Sequence, residues 1–170
     1  MRVVNAEMLK SRPQSGQFPE LHFDAYDETI SVKFEDQNYS EFCGVFGGGF
    51  GSRCDLAQIS GRAFIISFGQ GYIFDIERRE LVHKTECDQL EGVLDAKFGG
   101  YFVAHSQIRL FVYASGLVWS SPRVSADGIL MDKVCDGVVH GRVYNFSKWV
   151  DFSLSLENFE YICDWECNLF

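Results

Sequence analysis

Apolar residues along this chain fall in short runs that stop at glycine, aspartate or serine, and the runs are rich in Val, Ile, Phe and Tyr. That pattern predicts β-strands joined by tight turns. RAFIISF, from Arg62, and YIFDI, from Tyr72, are separated by Gly69, Gln70 and Gly71. LDAKF and YFVAHS flank Gly99-Gly100, a pair suited to the positive φ angles of a type I′ turn. FVYA and LVWSS flank Ser115-Gly116, and MDKVC and VVHGRVY flank Asp136-Gly137. No amphipathic helix longer than two turns is predicted. The stretch up to about residue 17 is the least regular, and NAEMLK within it fits either a strand or a short helical turn.

A weak internal repeat lies over this pattern. YIFDIERRELVHKT begins at Tyr72, RLFVYASGLVWSSP at Arg109 and WVDFSLSLENFEYIC at Trp149, so the starts lie 37 and then 40 residues apart. Each unit is a strand, a polar turn and a second strand, and each follows an earlier hairpin strand. A period of about 40 residues with about four strands per repeat is the propeller signature. The expectation is therefore an all-β fold, an antiparallel meander of hairpins in ~40-residue units. It is propeller-like, with few blades or an incomplete ring, and a β-sandwich is the alternative. The absence of any linker-like stretch predicts a single β domain over residues 1–170.

Charge narrows the functions. Fifteen Lys and Arg against 24 Asp and Glu give a net charge of -9. Binding to nucleic acid or to an anionic membrane needs clustered cations, so neither is expected. Carboxylates gather at Asp24, Asp27, Glu28, Glu35 and Asp36, and again at Glu157, Glu160, Asp164 and Glu166. They read as a solvated face or as a docking surface for a basic protein. No secretory signal or membrane-spanning run is read, so a cytoplasmic location and six reduced cysteines are expected.

The stretch EFCGVFGGGFGSRCDL carries five glycines between Gly44 and Gly51. A phosphate loop needs a lysine after its last glycine, and here the nearest cation is Arg53. The spacing of Gly47, Gly49 and Gly51 also departs from the dinucleotide fingerprint. Glycines that let one backbone approach another are the better reading, with Phe46 and Phe50 packing over them.

His83 with Cys87, and Cys163 with Cys167, are spaced as zinc pairs, although strand residues four apart lie too far apart to share an ion. Buried thiols without a cofactor are the preferred reading, and zinc is the subordinate one. No G-x-S-x-G elbow is present, so nucleophilic catalysis has no motif behind it. His105 is the best acid–base candidate by residue type alone. Trp119, Trp149 and Trp165 read as core residues before they read as a sugar platform. The polar segment from Val118 to Ile129 holds Ser121, Arg123, Ser125 and Asp127. It reads first as a structural corner, and second as a ligand cleft in which Arg123 and Asp127 pair.

Around this segment Trp119, Ser121, Arg123, Ser125, Asp127 and Gly128 are followed by a strand with Trp149, Phe152 and Leu154. Together with VFGGGF and GQGYIFD upstream, this resembles a family of small uncharacterised bacterial β-proteins over residues 45–160. The resemblance implies a bacterial β-domain and assigns no activity. Small acidic bacterial proteins of this kind include immunity proteins, so the resemblance gives that role by analogy. The function expected is a non-catalytic protein-binding domain, of the immunity type, facing a basic partner. The alternative is a small-molecule-binding protein or hydrolase using Trp119, Arg123, Asp127 and His105. A third possibility is an assembly module, and the expected state is a monomer or homodimer.

Overall fold

The structure, a computed structural model, describes residues 4–166. Among them are sixteen strands and no helix, arranged as four four-stranded sheets. The chain divides between Glu91 and Gly92 into two compact units, each holding two sheets.

The first sheet has the order β1(Asn5–Met8), β3(Thr29–Glu35), β4(Glu41–Gly47), β2(Glu20–Phe23). It is the irregular one. β1–β3 and β3–β4 are antiparallel, whereas β2 lies parallel to β4. NAEMLK supplies the strand of its two expected forms. The second sheet runs β5(Asp55–Ile59), β6(Arg62–Ser67), β7(Gln70–Asp75), β8(Glu80–Lys84) in sequence order, all antiparallel. These two sheets share one core, in which Val32, Phe34, Phe42 and Phe46 meet Ile65, Tyr72 and Phe74. The Phe34 ring lies 4.9 Å from Phe74 and 5.1 Å from Phe42, and Phe23 stacks on Phe46 at 5.1 Å. Each such ring pair adds about 0.5–1.5 kcal/mol beyond the area it buries. Phe64, Ile66 and Ile73 on the other face of β6 and β7 are buried as well. A strand buried on both faces has no polar alternation, which is why RAFIISF reads as a continuous apolar run.

The second unit holds two meanders. One is β9(Gly92–Asp95), β10(Phe102–His105), β11(Leu110–Tyr113), β12(Leu117–Ser120). The other is β13(Ile129–Cys135), β14(Val138–Tyr144), β15(Trp149–Ser155), β16(Tyr161–Cys163). Their shared core includes Val103, Leu110, Val112, Ile129, Val139, Val143, Phe152 and Leu154. Sheets two, three and four begin at Asp55, Gly92 and Ile129, a period of 37 residues in both steps. The repeat seen in the sequence is the third and fourth strand of each: β7–β8, β11–β12 and β15–β16. The fold is thus all-β, and from β5 onward it is an antiparallel meander of hairpins in four-stranded units.

The turns follow their residues. Asp136 and Gly137 have φ of 50° and 75°, and Gly99 and Gly100 have 59° and 71°, the type I′ pattern. The Gly99-Gly100 turn does not join β9 to β10 directly. It closes through Tyr101 N donating to Phe98 O at 3.1 Å, and Ala96 and Lys97 extend the loop.

Candidate functional site

The glycine run of Gly44 to Gly51 brings four loops of the first unit together. Gly48 N donates to Glu28 O (2.8 Å), Gly49 N to Phe68 O (3.1 Å), Phe50 N to Asp88 O (3.2 Å) and Gly51 N to Phe68 O (2.8 Å). Gly69 N returns a bond to Arg53 O (3.0 Å), and Leu90 N donates to Gly69 O (2.9 Å). Side chains at these glycines would collide with backbone. A Cβ on Gly47 would overlap the Asp24 carbonyl oxygen, and one on Gly49 would lie 2.7 Å from Asp88 O. The amides from Gly48 to Gly51 are therefore bound to carbonyls and do not point at an open cradle. The close-approach reading holds, and Phe46 packs in the core as expected. Phe50 does not pack over the glycines: its amide donates to Asp88 O, and its side chain is left 87% exposed.

The loops so joined are strongly acidic. Asp24, Asp27, Glu28 and Glu86 are exposed and Asp88 is half-buried, against the cations Arg53 and Lys84. Lys84 Nζ is held by Asp24 Oδ2 at 2.7 Å, so four of the five carboxylates remain without that ion pair. Two aromatic rings stand beside them, Phe50 and Tyr26, the latter 90% exposed. Exposed aromatic residues rimmed by polar groups are a feature of protein-interaction surfaces. Beneath this end the Tyr72 hydroxyl donates to Gly47 O at 2.9 Å, and burial, with the Asp24 charge second, pushes its pKa up to about 12. The Cys43 thiol in β4 is likewise pushed up by burial, and this does not favour a reactive thiolate.

Other carboxylates singled out in the sequence serve differently. Asp36 accepts from the amides of Asn38 and Ser40 and from Arg79 Nη2 (3.0 Å), which fastens the β3–β4 turn. Its carboxyl is held below the usual range, chiefly by the Ser40 amide. Glu157, Glu160, Asp164 and Glu166 are exposed in the second unit.

In the second unit the polar segment after β12 is bound to backbone. Arg123 Nε donates to Ser125 O (3.1 Å) and its Nη2 to Ala126 O (2.8 Å). Arg123 therefore turns to carbonyls and not to Asp127, which is exposed, so the expected pairing of the two is corrected. Ser125, fully buried, donates to Gly128 O (2.6 Å) and accepts from Tyr144 N (3.3 Å). Ser121 Oγ accepts from Leu110 N (2.9 Å) and donates to Pro122 O (2.6 Å). Trp119 stacks on Phe159 at 6.1 Å and packs against the core, as Trp165 also does. Trp149 lies over Gly128 and beside Tyr144. His105 is buried at the end of β10, with Nδ1 donating to Ser106 O at 3.0 Å. The loop after it accepts Gly128 N at Gln107 O (2.8 Å) and Val124 N at Ile108 O (2.9 Å), so backbone joins it to the Arg123–Asp127 segment.

The proposed zinc pairs fall in different units, His83 and Cys87 in the first and Cys163 in the second. His83 lies in β8 with Nε2 3.5 Å from Glu86 Oε1, and Cys87 follows in the next loop. Cys163 lies in β16 of the second unit, and Cys167 is outside the described residues. Among the described residues no group of three or more His, Cys, Asp or Glu side chains is placed to hold a metal ion, and of the five cysteines there only Cys43 is buried.

Sequence reasoning missed that Tyr26 and Phe50 both stand exposed on loops of one acidic end. The signal was a lone aromatic inside each of two turn-forming stretches, DAYDE and GGGFGS.

No protein-family model matches the chain, and no curated protein matches it. Among solved structures it is similar to the computationally designed Ika4 protein, with a TM-score of 0.52 at 10% identity over 65% of this chain and 71% of that one. At that identity the likeness extends to the fold alone. The designed Ika8 protein gives 0.49 at 12% identity, over 66% of this chain and 36% of that one. A chain of a nidogen/laminin complex gives 0.49 at 13%, over 85% and 61%. Neither of these two bears on the argument. Among the described residues no helix is long and apolar enough to cross a membrane.

Proposed function

We propose that this chain is a non-catalytic protein-binding domain that docks a partner with a basic surface through the loop end of its first unit. The observation that carries the reading is the pair Tyr26 and Phe50, 90% and 87% exposed, set among Asp27, Glu28, Glu86 and Asp88 on backbone that the glycine crossing holds in place. Exposed aromatics supply contact area at little entropic cost, and the carboxylates steer a cationic partner. A bacterial immunity-type protein that neutralises a basic toxin is the concrete form, in keeping with the resemblance to small bacterial β-proteins. Reduced cysteines, Cys135 exposed among them, suit a cytoplasmic setting.

The test is affinity capture from native lysate at low salt, with the wild-type chain and the variant Asp27→Asn/Glu28→Gln/Glu86→Gln as parallel baits. A basic protein held by the first bait, lost from the second and released by moderate salt supports the reading. A set of captured proteins that is the same for both baits rejects it.

A further inference from the structure

β1 and β2 form opposite edges of the first sheet, and their pairings through β3 and β4 make them run parallel to each other. The connection between them, residues 9–19, must therefore cross a face of that sheet. It takes the face opposite the phenylalanine core. Phe18 places its ring 5.5 Å from Lys33 Nζ, and Arg12 Nη2 reaches Glu20 Oε2 at 3.2 Å. Between this arch and the sheet lies an open cavity of about 630 Å³. Its floor is the cross-strand pair Glu7 and Lys33, and its walls include Arg12, Gln14, Leu9 and Phe18.

We propose that this cavity is a binding site for a small zwitterion, an α-amino acid or a dipeptide. Its lining carries charges of both signs. Lys33 is bonded to Glu41 at 2.5 Å and Arg12 to Glu20, but neither of those carboxylates lines the cavity. An ammonium has three N–H donors and a guanidinium five, so both cations keep donors for a carboxylate inside. A bare anion would also meet Glu7, and a bare cation would meet Lys33 and Arg12. A zwitterion answers both signs: its carboxylate faces Lys33 and Arg12, its ammonium faces Glu7, and its side chain rests on Leu9 and Phe18. The Gln14 amide can serve a peptide group. The volume lies within the range usual for small-ligand sites. This site is separate from the acidic loop end, and neither reading depends on the other.

The proteinogenic α-amino acids and alanyl-leucine, titrated one at a time, test it by calorimetry and by amide chemical shifts of β1 and β3. Saturable binding of at least one probe at millimolar concentration or below is expected. N-acetylation and methyl esterification of that probe should each weaken binding by about tenfold or more, the loss of one ionic contact. Glu7→Gln should then cancel the effect of acetylation, and Lys33→Met should reduce that of esterification, Arg12 keeping the rest. Glu7 is exposed, so its variant keeps the test open if Lys33→Met fails to fold. Absence of saturable binding by every probe overturns the proposal, as does binding that neither cap nor Glu7→Gln alters.

Discussion

The Gly51 amide donates to the Phe68 carbonyl at 2.8 Å, and a Cβ on Gly51 would stand 2.8 Å from the Gly69 Cα. Two chain segments cross here with no room for a side chain, and the loop end of the first unit hangs on that crossing. Gly51→Ala and Gly47→Ala are each expected to destabilise the fold by about 1–3 kcal/mol, since in both cases the clash is with backbone that cannot rotate away. Urea unfolding midpoints at constant slope check this. A wild-type midpoint for either variant would mean that the crossing is looser than described.

The neighbours Ser125 and Asp127 divide the polar segment of the second unit into a buried and an exposed half. Ser125→Ala leaves the Tyr144 amide with one acceptor fewer and removes the donor to Gly128 O, which costs about 1–3 kcal/mol. Asp127→Ala changes stability by no more than about 0.5 kcal/mol, as is usual for an exposed side chain away from such bonds. Thermal melts of the two variants side by side measure the contrast. Equal losses would show that Asp127 also holds the corner.

These two cases also mark how far the sequence can be read. The hairpins β6–β7, β11–β12 and β13–β14 were legible because apolar runs and turn residues are local signals. A repeat of about 40 residues was legible for the same reason, and the strand starts make it 37. The order of the first sheet was not. Its parallel β2–β4 pairing depends on a polar crossover whose residues, from Ser11 to Gln17, look like an irregular terminus. The polar character of Ser121, Arg123 and Ser125 was visible, but their partners are carbonyls and amides, and every residue type supplies those. The acidic end was half visible. The carboxylates stand in the sequence, whereas the loops that carry Tyr26 and Phe50 meet through a backbone bond from Gly48 N to Glu28 O, which any residue type could supply.

Tyr26 and Phe50 offer a direct separation of binding from folding. Both rings are almost wholly in water, so Tyr26→Ser and Phe50→Ser should each leave stability within about 0.5 kcal/mol of wild type. Rings at the centre of a docking surface carry much of its affinity, so the same variants should weaken capture of the basic partner by about tenfold or more. Competition between wild-type and variant baits in one lysate reads this out. Undiminished capture by the double variant would place the docking surface elsewhere.

Tyr72 predicts an alkaline limb in the stability of the protein. Its hydroxyl is buried and bonded to Gly47 O, and its pKa in the fold is pushed up to about 12. In the unfolded chain a tyrosine ionises near pH 10. Above that pH the unfolded state sheds the Tyr72 proton while the folded state retains it. Stability therefore falls as pH rises from about 10 towards about 12, and is fully present below this window. Tyr72→Phe removes the hydroxyl, leaves the Gly47 carbonyl without this donor and costs about 1–3 kcal/mol at neutral pH. The variant should nevertheless lose less than wild type between about pH 10 and about pH 11, because the group that ionises on unfolding is gone. The other six tyrosines are common to both proteins and cancel in the comparison. Urea titrations of both proteins at the two pH values give the difference, and parallel losses would mean that the Tyr72 hydroxyl ionises as readily in the fold as outside it.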